Sequence, residues 1–334
     1  MKIALTLRLV LYPTAVLLGL AIFLAHLALF SETGGHWIAG QIEKRVEGLQ
    51  LAYRGGTVAR GLDFTDVRLS RPGLDISAHG VSIKVNLPAM LAGKIKLQRV
   101  GVRALAVSYK AVQAPGTPSS PVDITTSITI ADAHVENAVV RIDDAAPIRL
   151  DTAEASVALS GEHLQLHDVR VRQSTLVVRG TWQMVLNAPY TFGGQFNLAG
   201  IAQGVPPIVG HLRGDSEKIR IGAGFAPPDN VTMSANIDPA KGRFDASADI
   251  TTLDLKALTG QPLALTGGAL EAAGEYRNFR YSGHASVDNP WLSHLNAKLS
   301  GNFSGETLDV SGLHMLADRT SVDGSGNYDF ATHT

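Results

Sequence analysis

Few residues in this 334-residue chain stand where chemistry could be done. His163 and His167 lie four apart on the outward parity of a predicted strand, which amounts to half of a metal site. No third His and no clustered carboxylate lies near them in the sequence, so the pattern reads as a solvated strand face. Asp143-Asp144 and Asp215-Ser216-Glu217 fall at predicted turns, where short polar side chains bond to neighbouring backbone. The chain has no cysteine, which excludes disulfides, thiolate metal sites and thiol nucleophiles. No G-x-S-x-G, P-loop or GxGxxG pattern occurs. The sequence therefore assigns no catalytic residue, metal or cofactor, and predicts a protein that is not an enzyme.

Composition points to β structure with many turns. There are 34 Gly and 15 Pro, 18% charged and 6% aromatic residues, and Val, Ile, Leu and Thr are plentiful. A net charge of −1, with no basic stripe interleaved with aromatics, argues against a nucleic-acid partner.

From Leu9 to Phe30 the chain runs without a charge, long enough to span a bilayer. Lys2 and Arg8 precede the run, whereas the far side begins with Glu32 and reaches no cation until Lys44. The positive end is expected to stay cytoplasmic and the rest to be exported. A retained signal anchor and a cleaved signal both fit these flanks. The stretch LALFSETGG offers no small-x-small cleavage site, which favours retention. Residues 1–31 are thus read as an anchor, 32–50 as an amphipathic helix and 51–334 as a repetitive β domain. In the helix, Trp37, Ile38, Ile42 and Val46 share one predicted face. Trp37 suits headgroup depth, but the same helix could instead plug the end of the β structure.

The β domain carries a repeat. Apolar residues at offsets 0, +2, +5, +7, +12 and +14 occur at Leu62, Phe64, Val67, Leu69, Leu74 and Ile76, around an Arg-Pro-Gly turn. They recur at Ile95, Leu97, Val100, Val102, Val107 and Tyr109, then at Ile128, Ile130, Ala133, Val135, Val140 and Ile142. Two further copies are Leu164, Leu166, Val169, Val171, Leu176, Val178 and Leu308, Val310, Leu313, Met315, Thr320, Val322. Thr320 is the one position that is not apolar. The starts are 33, 33, 36 and 144 residues apart, and 144 is four times 36. The middle of the chain fits less well, with Gly224 at the third position of a unit near Ile219.

Period-2 alternation means strands with one apolar and one polar face. The three-residue step, at Thr65-Asp66, Gln98-Arg99, Ala131-Asp132, His167-Asp168 and Ser311-Gly312, calls for a bulge or corner. A period of 33 to 36 predicts roughly three strands per unit, stacked as an elongated antiparallel β groove or solenoid. The apolar face can either close on a dry core or stay open to something greasy.

The stretch Gly55 to Lys110, GGTVARGLDFTDVRLSRPGLDISAHGVSIKVNLPAMLAGKIKLQRVGVRALAVSYK, after an amino-terminal anchor, resembles the start of the AsmA-like superfamily, most closely its TamB branch. Thr251 to Tyr276, TTLDLKALTGQPLALTGGALEAAGEY, resembles the family's turn between β units. The known members are longer, so the chain is read as an amino-terminal piece. The resemblance implies a protein anchored in the inner membrane of diderm bacteria, with a twisted periplasmic β groove that moves phospholipid between inner and outer membranes. It also implies an Omp85-type outer-membrane barrel partner. On that reading the groove lining is the apolar template: Leu62, Phe64, Val67, Leu69, Leu74, Ile76, Ile95, Leu97, Val100, Val102, Ile128, Ile130, Val135, Leu164, Leu166, Val169, Val171, Leu308, Val310 and Leu313. A scaffold that assists outer-membrane protein assembly through exposed strand edges is the alternative.

Overall fold

Alternation in the sequence becomes strands of seven to fifteen residues. The computed structural model describes residues 29–330, except 93, 111–126, 144–145, 202–203, 228, 257–259, 261, 290–291 and 318–319. Apart from Leu29 and Phe30, the anchor run Leu9–Phe30 lies outside the described residues, as does Asp144. No described helix is long and apolar enough to cross a membrane. Two units divide the chain, Met1–Gly161 and Glu162–Thr334.

In the first unit, helix α1 (Glu32–Arg45) precedes β1 (Leu49–Thr57), β2 (Gly61–Arg71) and β3 (Leu74–Val85). A short helix α2 (Leu87–Leu91) leads to β4 (Ile95–Tyr109), β5 (Ile128–Ile142) and β6 (Ile148–Ser160). Ser31 caps α1 by accepting from Gly34 N at 3.0 Å, while Glu32 in the first turn and Lys44 and Arg45 in the last complement the helix dipole. Asn86 caps α2 in the same way, accepting from Ala89 N at 3.1 Å. Between β2 and β3 the predicted turn is present, with Gly73 at φ 78°, a conformation few other residues adopt.

Strands β1 to β4 pair antiparallel in chain order, as do β5 and β6. The pair β4–β5 departs from the all-antiparallel expectation: it is parallel. Its register is the repeat itself. Ile95, Leu97, Val100, Val102, Val107 and Tyr109 lie opposite Ile128, Ile130, Ala133, Val135, Val140 and Ile142, so a spacing of 33 sets like residue beside like. These two copies are also single strands and not strand pairs. They lack the Pro-Gly signal that folds the Leu62 copy back after Arg71. The repeat consequently does not hold a constant three strands: Leu62 to Ile95 contains β2, β3 and α2, whereas β4 alone precedes the connection to Ile128.

The second unit contains β7 (His163–Gln173), β8 (Leu176–Val185), β9 (Phe192–Ala199), β10 (Ile208–Gly214), β11 (Ile219–Phe225) and β12 (Asn230–Asp238). It continues with β13 (Arg243–Asp254), β14 (Ala264–Glu275), β15 (Asn278–Asn289), β16 (Leu292–Ser304), β17 (Thr307–Ala317) and β18 (Thr320–Asp329). Each strand pairs antiparallel with the next.

All five three-residue steps coincide with register shifts. They fall at Phe64/Asp66 on β2, Leu97/Arg99 on β4, Ile130/Ala133 on β5, Leu166/Val169 on β7 and Val310/Leu313 on β17. Asp168 takes φ 52° at its step, a left-handed conformation that Asp tolerates better than most residues. The extra residue in each strand keeps the apolar side chains on one face.

The closed core sits at α1. Ala39, Val58, Leu62, Phe64, Ala78 and Val81 form a buried cluster, joined by partly buried Ile38, Leu51 and Tyr53. The helix face that packs overlaps the expected one only at Ile38: Gly34, Gly35 and Ala39 are buried beside it, whereas Trp37 and Ile42 are exposed. Small residues win this face because the helix lies too close for larger ones. A Cβ on Gly35 would stand 2.7 Å from Tyr53 Oη and 3.1 Å from Leu62 Cδ2.

Candidate functional site

Following residues opposite one another from strand to strand shows what the alternation builds. In the second unit, one row crosses all twelve strands as Leu166, Trp182, Gly194, Leu212, Ile221, Ala235, Ala246, Ala272, Tyr281, Gly301, Val310 and Gly326. Beside it runs Val169, Gly180, Phe196, Gly210, Ala223, Met233, Ala248, Leu270, Gly283, Leu299, Leu313 and Gly324. A third row runs from Leu164 through Phe192, Phe244, Phe279 and Phe303 to Leu308 and Tyr328. A fourth joins Val171, Val178, Leu198, Ile208 and Phe225, and resumes as Val231, Ile250, Gly268, Ala285, Ala297, Met315 and Val322. None of these positions carries a charge. The rows between them do, as at Arg213, Arg220, Asp245, Arg280 and Asp309.

The 144-residue spacing is explained by these rows. Leu164 and Leu308 end on one row, Leu166 and Val310 on another, and Val169 and Leu313 on a third. The middle strands keep the face apolar with Ala and Gly, which a search for large apolar residues misses. In the first unit the same pattern gives the rows Leu51–Val67–Ala78–Leu105–Ala138–Leu150, Leu49–Leu69–Ile76–Val107–Val140–Ile148 and Tyr53–Phe64–Val81–Val102–Val135–Ala153. Leu62–Ile83–Val100–Ala133–Ala155, Val85–Leu97–Ile130–Val157 and Ile95–Ile128–Leu159 complete it, and Leu74 lies opposite Tyr109.

Exposure separates the predicted lining into two groups. Leu62 and Phe64 are 5% and 3% exposed beneath α1, so at that corner the face is closed. Across the described residues of the second unit, only Val169 and Val231 among apolar side chains are buried. Leu164, Leu166, Val171, Leu308, Val310 and Leu313 are half-buried, and Leu270 and Val322 are 45% and 50% exposed. A face sealed against a second sheet would drive these values towards zero. Among the described residues nothing covers this face.

Rings on the face lie across glycines of the next strand. A Cβ on Gly194 would stand 2.7 Å from Trp182 Cε3, and one on Gly210 2.6 Å from Phe196 Cζ. Tyr281 is held at its tip, its hydroxyl donating to Asp309 O at 3.0 Å. Burial, with a smaller contribution from the Asp309 carboxylate, raises the Tyr281 pKa above its ordinary value. Along one end of the rows, Phe244, Phe279 and Phe303 form a ladder with centroids 5.2 and 5.0 Å apart.

The polar face holds the charges. Arg99 pairs with Asp132 at 2.8 Å, and His134 lies 3.3 Å from both Glu136 and Glu154. His79 pairs with Asp66 across β2 and β3, and His314 with Asp323 at 2.6 Å across β17 and β18. Asp215 accepts from the backbone N–H groups of Lys218 and Glu217, which lowers its pKa, with nearby cations adding to the shift. His163 is exposed on β7, and His167 faces Gln165. Among the described residues no three His, Asp or Glu side chains gather as a metal site.

The sequence profile of the TamB N-terminal domain matches residues 20–188, half of the chain. The chain belongs to the TamB family. The matched TamB region takes in the whole of β1 to β6, the α1 corner and the first two strands of the second unit. No curated protein and no solved structure matches the chain. The mainly antiparallel, open β sheet of this TamB-family chain agrees with the fold that the resemblance implied.

Proposed function

We propose that this chain is the inner-membrane-anchored, periplasmic part of a TamB-type bridge, and that its apolar face carries the acyl chains of phospholipids between the membranes. The observation that supports the reading is the set of four uncharged rows across the second unit, left half-exposed with no described residue sealing them. The rows span about 20 Å along the strands, enough for an extended acyl chain. Each methylene moved from water onto the face contributes about 0.8 kcal/mol, without direction. A lining with no charge and no polar trap holds a tail at every row about equally, which favours sliding over storage. Headgroups remain in water beyond the row ends. The role is not catalytic: the chain binds and guides, and breaks no bond.

Family membership favours membrane association and an Omp85-type outer-membrane barrel as partner. In the proposal, Leu9–Phe30 is the single span, with Lys2 and Arg8 cytoplasmic. Mass spectrometry of the natively purified protein tests the lipid reading. Phospholipid should co-purify with the wild type, and Leu270→Glu should lose it while retaining the barrel partner. A wild-type protein free of lipid, with partner binding sensitive to changes at strand edges, would favour the assembly-scaffold reading instead.

A further inference from the structure

We infer that the outer strip of α1 is a membrane-surface contact, seated in the headgroup layer of the bilayer that the chain leaves. Helix α1 has two unlike sides. Gly34, Gly35, Ile38 and Ala39 pack on the sheet. At three- and four-residue spacing round the other side come Thr33, Trp37, Gly40, Gln41 and Lys44. Trp37 is 60% exposed, and a Cβ on Gly40 would meet nothing within 4 Å. An indole left in water at the middle of a helix, on the side away from the sheet, needs an environment that is apolar below and wet above. The headgroup layer is one, and Trp is enriched there.

Two features commit the strip to a lipid surface and not to a protein groove. The uncharged run Leu9–Phe30 ends immediately before the Ser31 cap, seven residues ahead of Trp37, so the helix begins where that run would leave the bilayer. Lys44 and Arg45 at the other end are exposed, and among the described residues neither has an ion-pair partner, which suits lipid phosphates. Phe30, 51% exposed, leaves a second large apolar side chain uncovered just ahead of the cap. The helix would thus lie in the interface plane, with the closed cluster of Leu62, Phe64 and Val81 directly behind it. This inference rests on the proposed anchoring in the membrane.

The absence of cysteine allows a clean test with the full chain. Gln41→Cys carries an environment-sensitive fluorophore beside Trp37, and Asp249→Cys on the polar face of β13 serves as control. The labelled proteins are reconstituted in phosphatidylethanolamine–phosphatidylglycerol vesicles and separated by flotation. The expected result is a blue-shifted emission at position 41, quenched by lipids spin-labelled at the headgroup, lost on adding Trp37→Ser, and absent at position 249. Floated protein with water-like emission at position 41 would overturn the helix contact while leaving the anchor standing. Protein that fails to float would overturn the anchor, and the contact with it.

Discussion

The α1 corner and the twelve-strand unit are built from the same alternation, yet they leave their apolar faces in opposite states. At the corner, a helix with a glycine face comes within contact of the strands, and Phe64 is 3% exposed. On the twelve-strand face Leu270 occupies an equivalent kind of position and is 45% exposed. The difference lies in whether a neighbour is supplied, not in the strands. Stability should therefore reside at the corner, and binding capacity on the open rows.

Substitutions can break or sharpen that contrast. Phe64→Ala should cost about 3–5 kcal/mol by leaving a cavity under α1, whereas Leu270→Ala should cost about 1 kcal/mol or less, both read by denaturant unfolding. Similar losses for the two would erase the distinction. Gly35→Leu should cost about 1–3 kcal/mol, because its side chain must push α1 off Tyr53 and Leu62. Protection of the β2 and β3 amides from hydrogen exchange should fall in that variant and stay unchanged in β13 to β16. Leu270→Glu leaves its carboxylate in water, so the unfolding midpoint should barely move while co-purifying lipid is lost. The smallest effect belongs to Asp215. Its lowered pKa contributes stability above the unfolded value of about 3.9, and that contribution fades as pH falls through the folded pKa. Asp215→Asn should flatten the unfolding midpoint's pH dependence in that acid window and nowhere else.

Much of the fold was legible because a strand face writes itself into period 2. The five bulges could be placed because only an extra residue reconciles a three-residue step with one apolar face. Three features were hidden, each for a physical reason. The parallel β4–β5 pair follows from register, and a spacing of 33 does not say whether two copies pair or merely repeat. The middle strands looked irregular because Ala235, Ala246, Ala248 and Ala272 fill the face with little volume. Hydrophobicity grouped Trp37, Ile38, Ile42 and Val46 on one face of α1; only Ile38 of these joins the cluster, because close approach selected Gly34, Gly35 and Ala39 beside it. For the site, periodicity indicated which residues share a face, but not that α1 covers Leu62 and Phe64. Leu62 and Leu308 occupy the same template position and have different fates.

Neighbours Lys298 and Leu299 on β16 are both exposed and point to opposite faces. A photo-crosslinking amino acid placed at each in turn, in living cells, asks where lipid goes. Phospholipid adducts at position 299 and none at position 298 are the expected result. Equal adducts at both positions, or none at 299, would contradict an apolar face occupied by lipid tails.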